Sequence, residues 1–192
     1  VKYFLDMSKK LKFKLYLIDP NKNIPSFKVS KKTKNFICPN VQNKKIFIRY
    51  LRNFIKKKKI KIVFPFSEHE AEILSLEKEY YKKKGVKVII SDYKVIRICR
   101  DKIKTNKFLN QIKIATPRLI DFEKVGNNLP IIIKKRFGSG SKHQFIIRDK
   151  RLKILKYDKS FVYQKLYKYQ EYGMDILNDL KGNFLHTTVK KK

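Results

Sequence analysis

Acidic residues are few: 16 Asp and Glu stand against 49 Lys and Arg in 192 residues, for a formal net charge of +33. Tryptophan is absent, glycine and proline number six each, and only two cysteines occur, Cys38 and Cys99. Those cysteines are far apart, sit in apolar contexts and match no metal spacing such as C-x-x-C, so they read as reduced core or near-core thiols. No stretch of about 18 apolar residues is present, which excludes a membrane-spanning helix. The Lys-dotted N-terminus lacks the apolar core of a signal peptide, and the expectation is a soluble, cytoplasmic protein without a membrane partner. A Gly-rich dinucleotide fingerprint is missing, as is the G-x-x-x-x-G-K-[ST] order of a P-loop. His69, His143 and His186 have no partner pattern for metal or for nucleophilic catalysis, and no Ser/His/Asp arrangement, internal repeat or low-complexity linker is evident.

What is there begins with 42% apolar residues, enough for a buried core. The charge taken alone points to nucleic acid or an anionic surface. Only 8 of the 49 basic residues are Arg, however, and Ile, Asn, Phe and Tyr are abundant alongside Lys. These residues share A/T-rich codons, and Arg, the better residue for bidentate phosphate and base contacts, is not the enriched one. Nucleic acid is therefore not the favoured partner. The densest run, Lys56 to Lys59, reads as a solvated helix C-terminus complementing the helix dipole.

The first half alternates strand-like and helix-like segments. Strands are expected at Lys14 to Ile18, Phe36 to Pro39, Lys61 to Phe66 and Val86 to Ile90. A helix is expected over Val41 to Ile55, and another runs from a Ser67 cap, with Glu70 at the capping-box position, to Gly85. Strands separated by helices of this length imply a parallel, Rossmann-like sheet. After residue 100 the character changes. Asp101 to Gln111 reads as a helix and Pro130 to Lys134 as a strand. Gln144 to Arg148, Phe161 to Leu166, Glu171 to Asp179 and Phe184 to Val189 read as an antiparallel set, the last two joined by a turn at Leu180 to Asn183.

The segment richest in chemistry runs from Leu129 to Ser141. A buried strand delivers Lys134 and Arg136 beside Gly138-Ser139-Gly140-Ser141, whose backbone N–H groups can wrap phosphate oxygens. Asp101-Lys102 stands about 30 residues upstream, a spacing compatible with two lysines converging on one triphosphate. The order Asp101-Lys102, Thr116-Pro117, Lys134 with Gly138 to Ser141, Val162-Tyr-Gln-Lys-Leu166 and Glu171-Tyr-Gly-Met-Asp175 resembles the ATP-grasp superfamily. Within it, the sequence is most similar to the ATP-binding module of the carbamoyl-phosphate synthase large chain and similar carboxylate-amine ligases.

The resemblance implies an α/β chain: a Rossmann-like pre-ATP-grasp domain over residues 1–100, its first strand missing, then the first, lid-bearing α+β lobe of an ATP-grasp fold over 101–192. It implies that Lys102 touches ATP phosphates, that Lys134 binds the α/β-phosphates, that Arg136 stands beside them and that Gly138 to Ser141 covers them. Gln164 and Leu166 fall in the hinge that meets adenine, and Glu171 matches the carboxylate that accepts ribose hydroxyls. The hinge carries Lys165 where Glu is common, and Lys168 stands where Gly often precedes the ribose carboxylate. ATP and Mg²⁺ are the implied cofactors, the metal ligands being expected beyond Lys192. The chain then reads as a piece of a longer ligase making an acyl phosphate for attack by an amine. A basic nucleic-acid-binding module and an inactive nucleotide-binding remnant are the rival readings. The carboxylate and amine substrates are unspecified, and a homo-oligomer is left open.

Overall fold

Periodicity decides where the helices of the first half form. The computed structural model describes residues 1–29, 34–138, 140, 143–149 and 156–192. Helix α1 (Lys2–Lys10) buries Leu5, and its Phe4 ring stands edge-on to Phe64 at 5.1 Å between centroids. Strand β1 (Tyr16–Asp19), the short helix α2 (Pro25–Lys28) and strand β2 (Lys34–Ile37) follow. Helix α3 (Lys44–Lys58) is capped by Asn43, whose side chain accepts from the Ile46 N–H. It buries Phe47, Leu51 and Ile55, one residue per turn on one face. Its last turn carries Lys56, Lys57 and Lys58, cations at the negative end of the dipole as expected.

Strand β3 (Ile62–Val63) is shorter than the sequence suggested, because Pro65 has no N–H to give to a ladder. Ser67 forms the expected capping box at the start of α4 (Glu68–Leu76): its hydroxyl accepts from Glu70 N–H at 3.2 Å and the Glu70 carboxylate accepts from Ser67 N–H at 3.2 Å. The single helix expected through to Gly85 is in fact two. It breaks at Glu77, where the Arg52 Nε donates to the carboxylate at 3.1 Å, and resumes as α5 (Lys78–Lys83) before β4 (Lys87–Val88).

Both ladders here are parallel, β1 with β2 (Tyr16 opposite Lys34) and β3 with β4 (Val63 opposite Val88). They share one core, in which Phe47, Leu51, Ile73, Leu74 and Tyr81 are buried and Ile18 and Val63 pack alongside. Burial pushes the Cys38 thiol in this core up to about 11, whereas Cys99 is exposed, which corrects the reading of both as core or near-core thiols.

The chain separates into two compact units, Val1–Ile90 and Ser91–Lys192. The second begins with a helix the sequence reading did not contain, α6 (Tyr93–Arg100), followed by α7 (Lys102–Gln111). Thr105 Oγ1 ties the two, donating to Ile98 O at 2.7 Å. After α7, buried Asn106 donates to Thr116 Oγ1 at 2.8 Å and to Pro117 O at 2.9 Å, fastening the Thr116-Pro117 connection to the helix.

The strands expected as one antiparallel set form two separate sheets among the described residues. Strands β5 (Ile131–Lys135), β6 (Gln144–Ile147) and β7 (Phe161–Lys165) make an antiparallel sheet in the order β6-β5-β7. Strands β8 (Tyr172–Asn178) and β9 (Phe184–Lys191) pair only with each other. Asp179 sets their turn, accepting from the N–H groups of Lys181 and Asn183 at 2.8 Å each.

Candidate functional site

Alternation along β5 sorts its residues by face. Ile131 and Ile133 are 0% and 4% exposed and pack with Ile120, Val125 and Tyr163. Ile132 and Lys134 take the other face, together with their cross-strand partners Gln164 and Val162 on β7. Two candidate residues on different strands, Lys134 and Gln164, therefore share the face opposite that core. Gln164 is itself buried, and its backbone is bridged on the far side to Leu119. Leu166 is half-buried just past the end of β7, where its N–H donates to Pro130 O at 3.1 Å. That bond spends the Leu166 amide within the sheet.

Lys134 is half-buried, and its ammonium is held below the usual lysine range, first by burial and then by the Lys102 charge, with the Glu171 carboxylate acting the other way. Lys102 thus reaches the surroundings of Lys134 although it comes from the first turn of α7. Its Nζ donates to Gly138 O at 2.8 Å, and its backbone N–H donates to Arg136 O at 3.2 Å. Gly138 and Gly140 have φ of 138° and 67°, values at which any other L residue is strained, so the turn after β5 requires glycine at both. Ser139 and Ser141 lie outside the described residues.

Arg136 is placed differently from the role the sequence suggested. Its guanidinium grips Asp101 in a fork, Nε to Oδ1 at 2.9 Å and Nη2 to Oδ2 at 2.6 Å, which occupies it with a carboxylate. Asp101 is 1% exposed and also caps α7, its Oδ1 accepting from Ile103 N–H at 3.0 Å. Burial alone would raise this carboxyl, but the Arg136 fork and the amides of Lys104 and Ile103 hold it below the usual carboxylate range. The sequence reading used Asp101 to open the helix and, with Lys102, to head the ordered set of motifs, and gave its side chain no role. A carboxylate opening a helix, one position before a candidate lysine, was the available signal.

Glu171 stands at the start of the hairpin, exposed, with Lys192 Nζ at 2.9 Å from its carboxylate. Lys190 is paired likewise with Asp175. Lys165, at the hinge position where Glu was expected, donates to the carbonyls of Asn128 and Leu129 at 3.0 and 2.9 Å, next to the cis Leu129-Pro130 bond. That is a structural use for the departure. Among the described residues no group of three or more His, Cys, Asp or Glu could hold a metal, and no helix is long and apolar enough to cross a membrane. A depression of about 450 Å³ in the first unit, lined by Lys2, Leu5, Asp6 and Phe13 among others, includes none of the candidate residues.

Residues 1–89 match the family described as the PylC-like N-terminal domain, and residues 99–190 match the ATP-grasp domain. Residues 99–190 thus form an ATP-grasp domain. A carbamoyl-phosphate synthase of Methanobrevibacter smithii is 31% identical over 77 residues, covering 37% of this chain and 21% of that protein. The L-amino acid ligase of Bacillus licheniformis has a similar fold, with a TM-score of 0.70 at 14% identity over 97% of this chain and 45% of its own. The biotin carboxylase domain of Hydrogenobacter thermophilus 2-oxoglutarate carboxylase, solved with MgADP, ADP and bicarbonate, gives 0.62 at 14% identity over 91% of this chain and 43% of its own. The chain spans less than half the length of these proteins.

Proposed function

We propose that this chain supplies the ATP-binding part of a ligase that activates a carboxylate as an acyl phosphate for attack by an amine or similar nucleophile, with the first unit as its pre-ATP-grasp domain. The observation that carries this reading is the approach of two ammonium groups from different elements. Lys102 on α7 and half-buried Lys134 on β5 sense one another, with Lys102 bonded to Gly138 O, inside the segment matched by the ATP-grasp domain. Two cations held together at partial burial suit a polyphosphate, whose charge offsets their repulsion and whose transfer chemistry depends on neutralising oxygens and fixing orientation.

Lys134 would take the α/β-phosphates and Lys102 a neighbouring phosphate oxygen, exchanging its Gly138 carbonyl for the nucleotide. Gly138 and Gly140 allow the backbone to approach, with Ser139 and Ser141 expected in the same loop. Gln164, on the Lys134 face, and Leu166 would border adenine. Glu171 would release Lys192 to accept a ribose hydroxyl. Arg136 contributes through Asp101. The described residues gather no carboxylate set for Mg²⁺, so what they offer the nucleotide is cationic.

The test is thermal unfolding of the full-length protein with MgATP at moderate salt. At a hundredfold excess over Kd, binding adds about 2.7 kcal/mol, and Lys134→Ala is expected to remove that stabilisation. An absence of stabilisation in the wild type overturns the reading. So does salt-steep binding to DNA or RNA that survives Lys134→Ala in place of nucleotide binding.

A further inference from the structure

Two lysines that must face one ligand repel each other whenever the ligand is absent, so the chain needs something to hold their elements in place. A single buried carboxylate stands at the junction. Asp101 caps α7 through Ile103 N–H, and it receives the forked guanidinium of Arg136, which lies two residues beyond Lys134. Arg136 is fixed at its backbone as well: its N–H donates to Ser160 O at 2.7 Å, and its carbonyl accepts from Lys102 N–H at 3.2 Å. The first turn of α7 is thereby fastened to the end of β5 by one ion pair and one backbone bond. A buried ion pair is seldom retained for net stability, since an apolar replacement of equal volume does as well. A forked pair does fix distance and angle.

We infer that Asp101, acting through Arg136, is the positioning residue that sets Lys102 against Lys134 so that both ammonium groups meet one polyphosphate. This deepens the nucleotide reading above and rests on it for the identity of the ligand. Asp101 is 1% exposed and closed off by Arg136, so it acts through that guanidinium.

The deciding readout needs no nucleotide. In the full-length protein, the acetylation rate of Lys134 is followed against pH by mass spectrometry for wild type, Asp101→Asn, Arg136→Lys and the double variant. Asn keeps the helix cap and the volume but loses the charge, and Lys keeps the charge but loses the fork. Lys134 feels Lys102 and Glu171 as well as its own burial, so its midpoint reports how near Lys102 stands. Removing a negative charge with the geometry intact lowers the midpoint further. Loss of positioning lets Lys102 drift away and raises the midpoint toward the ordinary lysine value of about 10.4.

The expected result is a rise in Asp101→Asn, a similar rise in Arg136→Lys, and no further rise in the double variant. MgATP affinity should fall about tenfold in each single variant. A fall or no change in the Lys134 midpoint overturns the proposal, and Arg136→Lys decides it if Asp101→Asn does not fold. If MgATP fails to protect Lys102 and Lys134 from acetylation in the wild type, the nucleotide reading falls, while the midpoints still decide the positioning role.

Discussion

The two sheets of the second unit are both antiparallel and both carry charged candidates, yet they hold those charges in opposite ways. In β5, Ile131 and Ile133 are sealed and the neighbouring acid, Asp101, is 1% exposed with every contact geometrically fixed. In the β8–β9 hairpin, Met174 and Ile176 are 62% and 60% exposed, and Glu171 meets Lys192 with both side chains largely in water. A sequence motif treats Lys134 and Glu171 as equal members of one pattern. The structure ties one to a rigid frame and gives the other a partner that water and salt can replace. Order of motifs along a chain thus says which residues belong to a site, and burial says which of them the fold itself holds in position.

The contrast breaks most sharply at Asp101. Asp101→Ala removes the cap and strands the Arg136 guanidinium, and it should cost about 3–5 kcal/mol in denaturant unfolding. Ile131→Ala in the sealed face should cost about 3 kcal/mol, within the range for a buried Ile truncated to Ala. The same truncation at Ile176 on the hairpin should stay within about 0.5 kcal/mol. Glu171→Gln, which weakens only an exposed pair, should also lie within about 0.5 kcal/mol and should lose even that in 1 M salt. Equal costs at Ile131 and Ile176, or a large salt-resistant cost at Glu171, would mean that the hairpin is as firmly built as the β5 sheet.

Much of this was legible in the sequence where a local rule acts alone. Ser67 and Glu70 announce a capping box, Phe47, Leu51 and Ile55 announce a buried helix face, and Pro130-Ile-Ile-Ile-Lys134 announces a buried strand with a lysine near its end. The strand alternation that puts Lys134 and Gln164 on one face also follows once β5 and β7 are paired. What the sequence withheld depended on partners distant along the chain. Arg136 looks like a phosphate ligand until Asp101 is seen in its fork, 35 residues away. Glu77 looks like helix interior until Arg52 takes it. The helix α6 was missed because its apolar residues Val95, Ile96, Ile98 and Cys99 are interleaved with Lys and Arg and none is fully buried. Lys165 departs from the superfamily pattern in type, and only the carbonyls of Asn128 and Leu129 explain it.

The smallest effect that still separates the two sheets is the pH dependence of stability. Lys134 has a lowered folded value, so between that value and about 10.4 the unfolded chain binds more protons than the folded one, and stability rises with pH across that window. Asp101 has a depressed folded value, so its stabilisation is present above about pH 4 and is lost as pH falls through the folded value. Both limbs belong to the β5 region. Subtracting the curve of Lys134→Met from that of the wild type isolates the alkaline limb and cancels the other groups that titrate there, among them Tyr81, whose phenol burial pushes upward. The difference curve should climb from the lowered folded value of Lys134 up to about pH 10.4. A flat curve would place Lys134 in water.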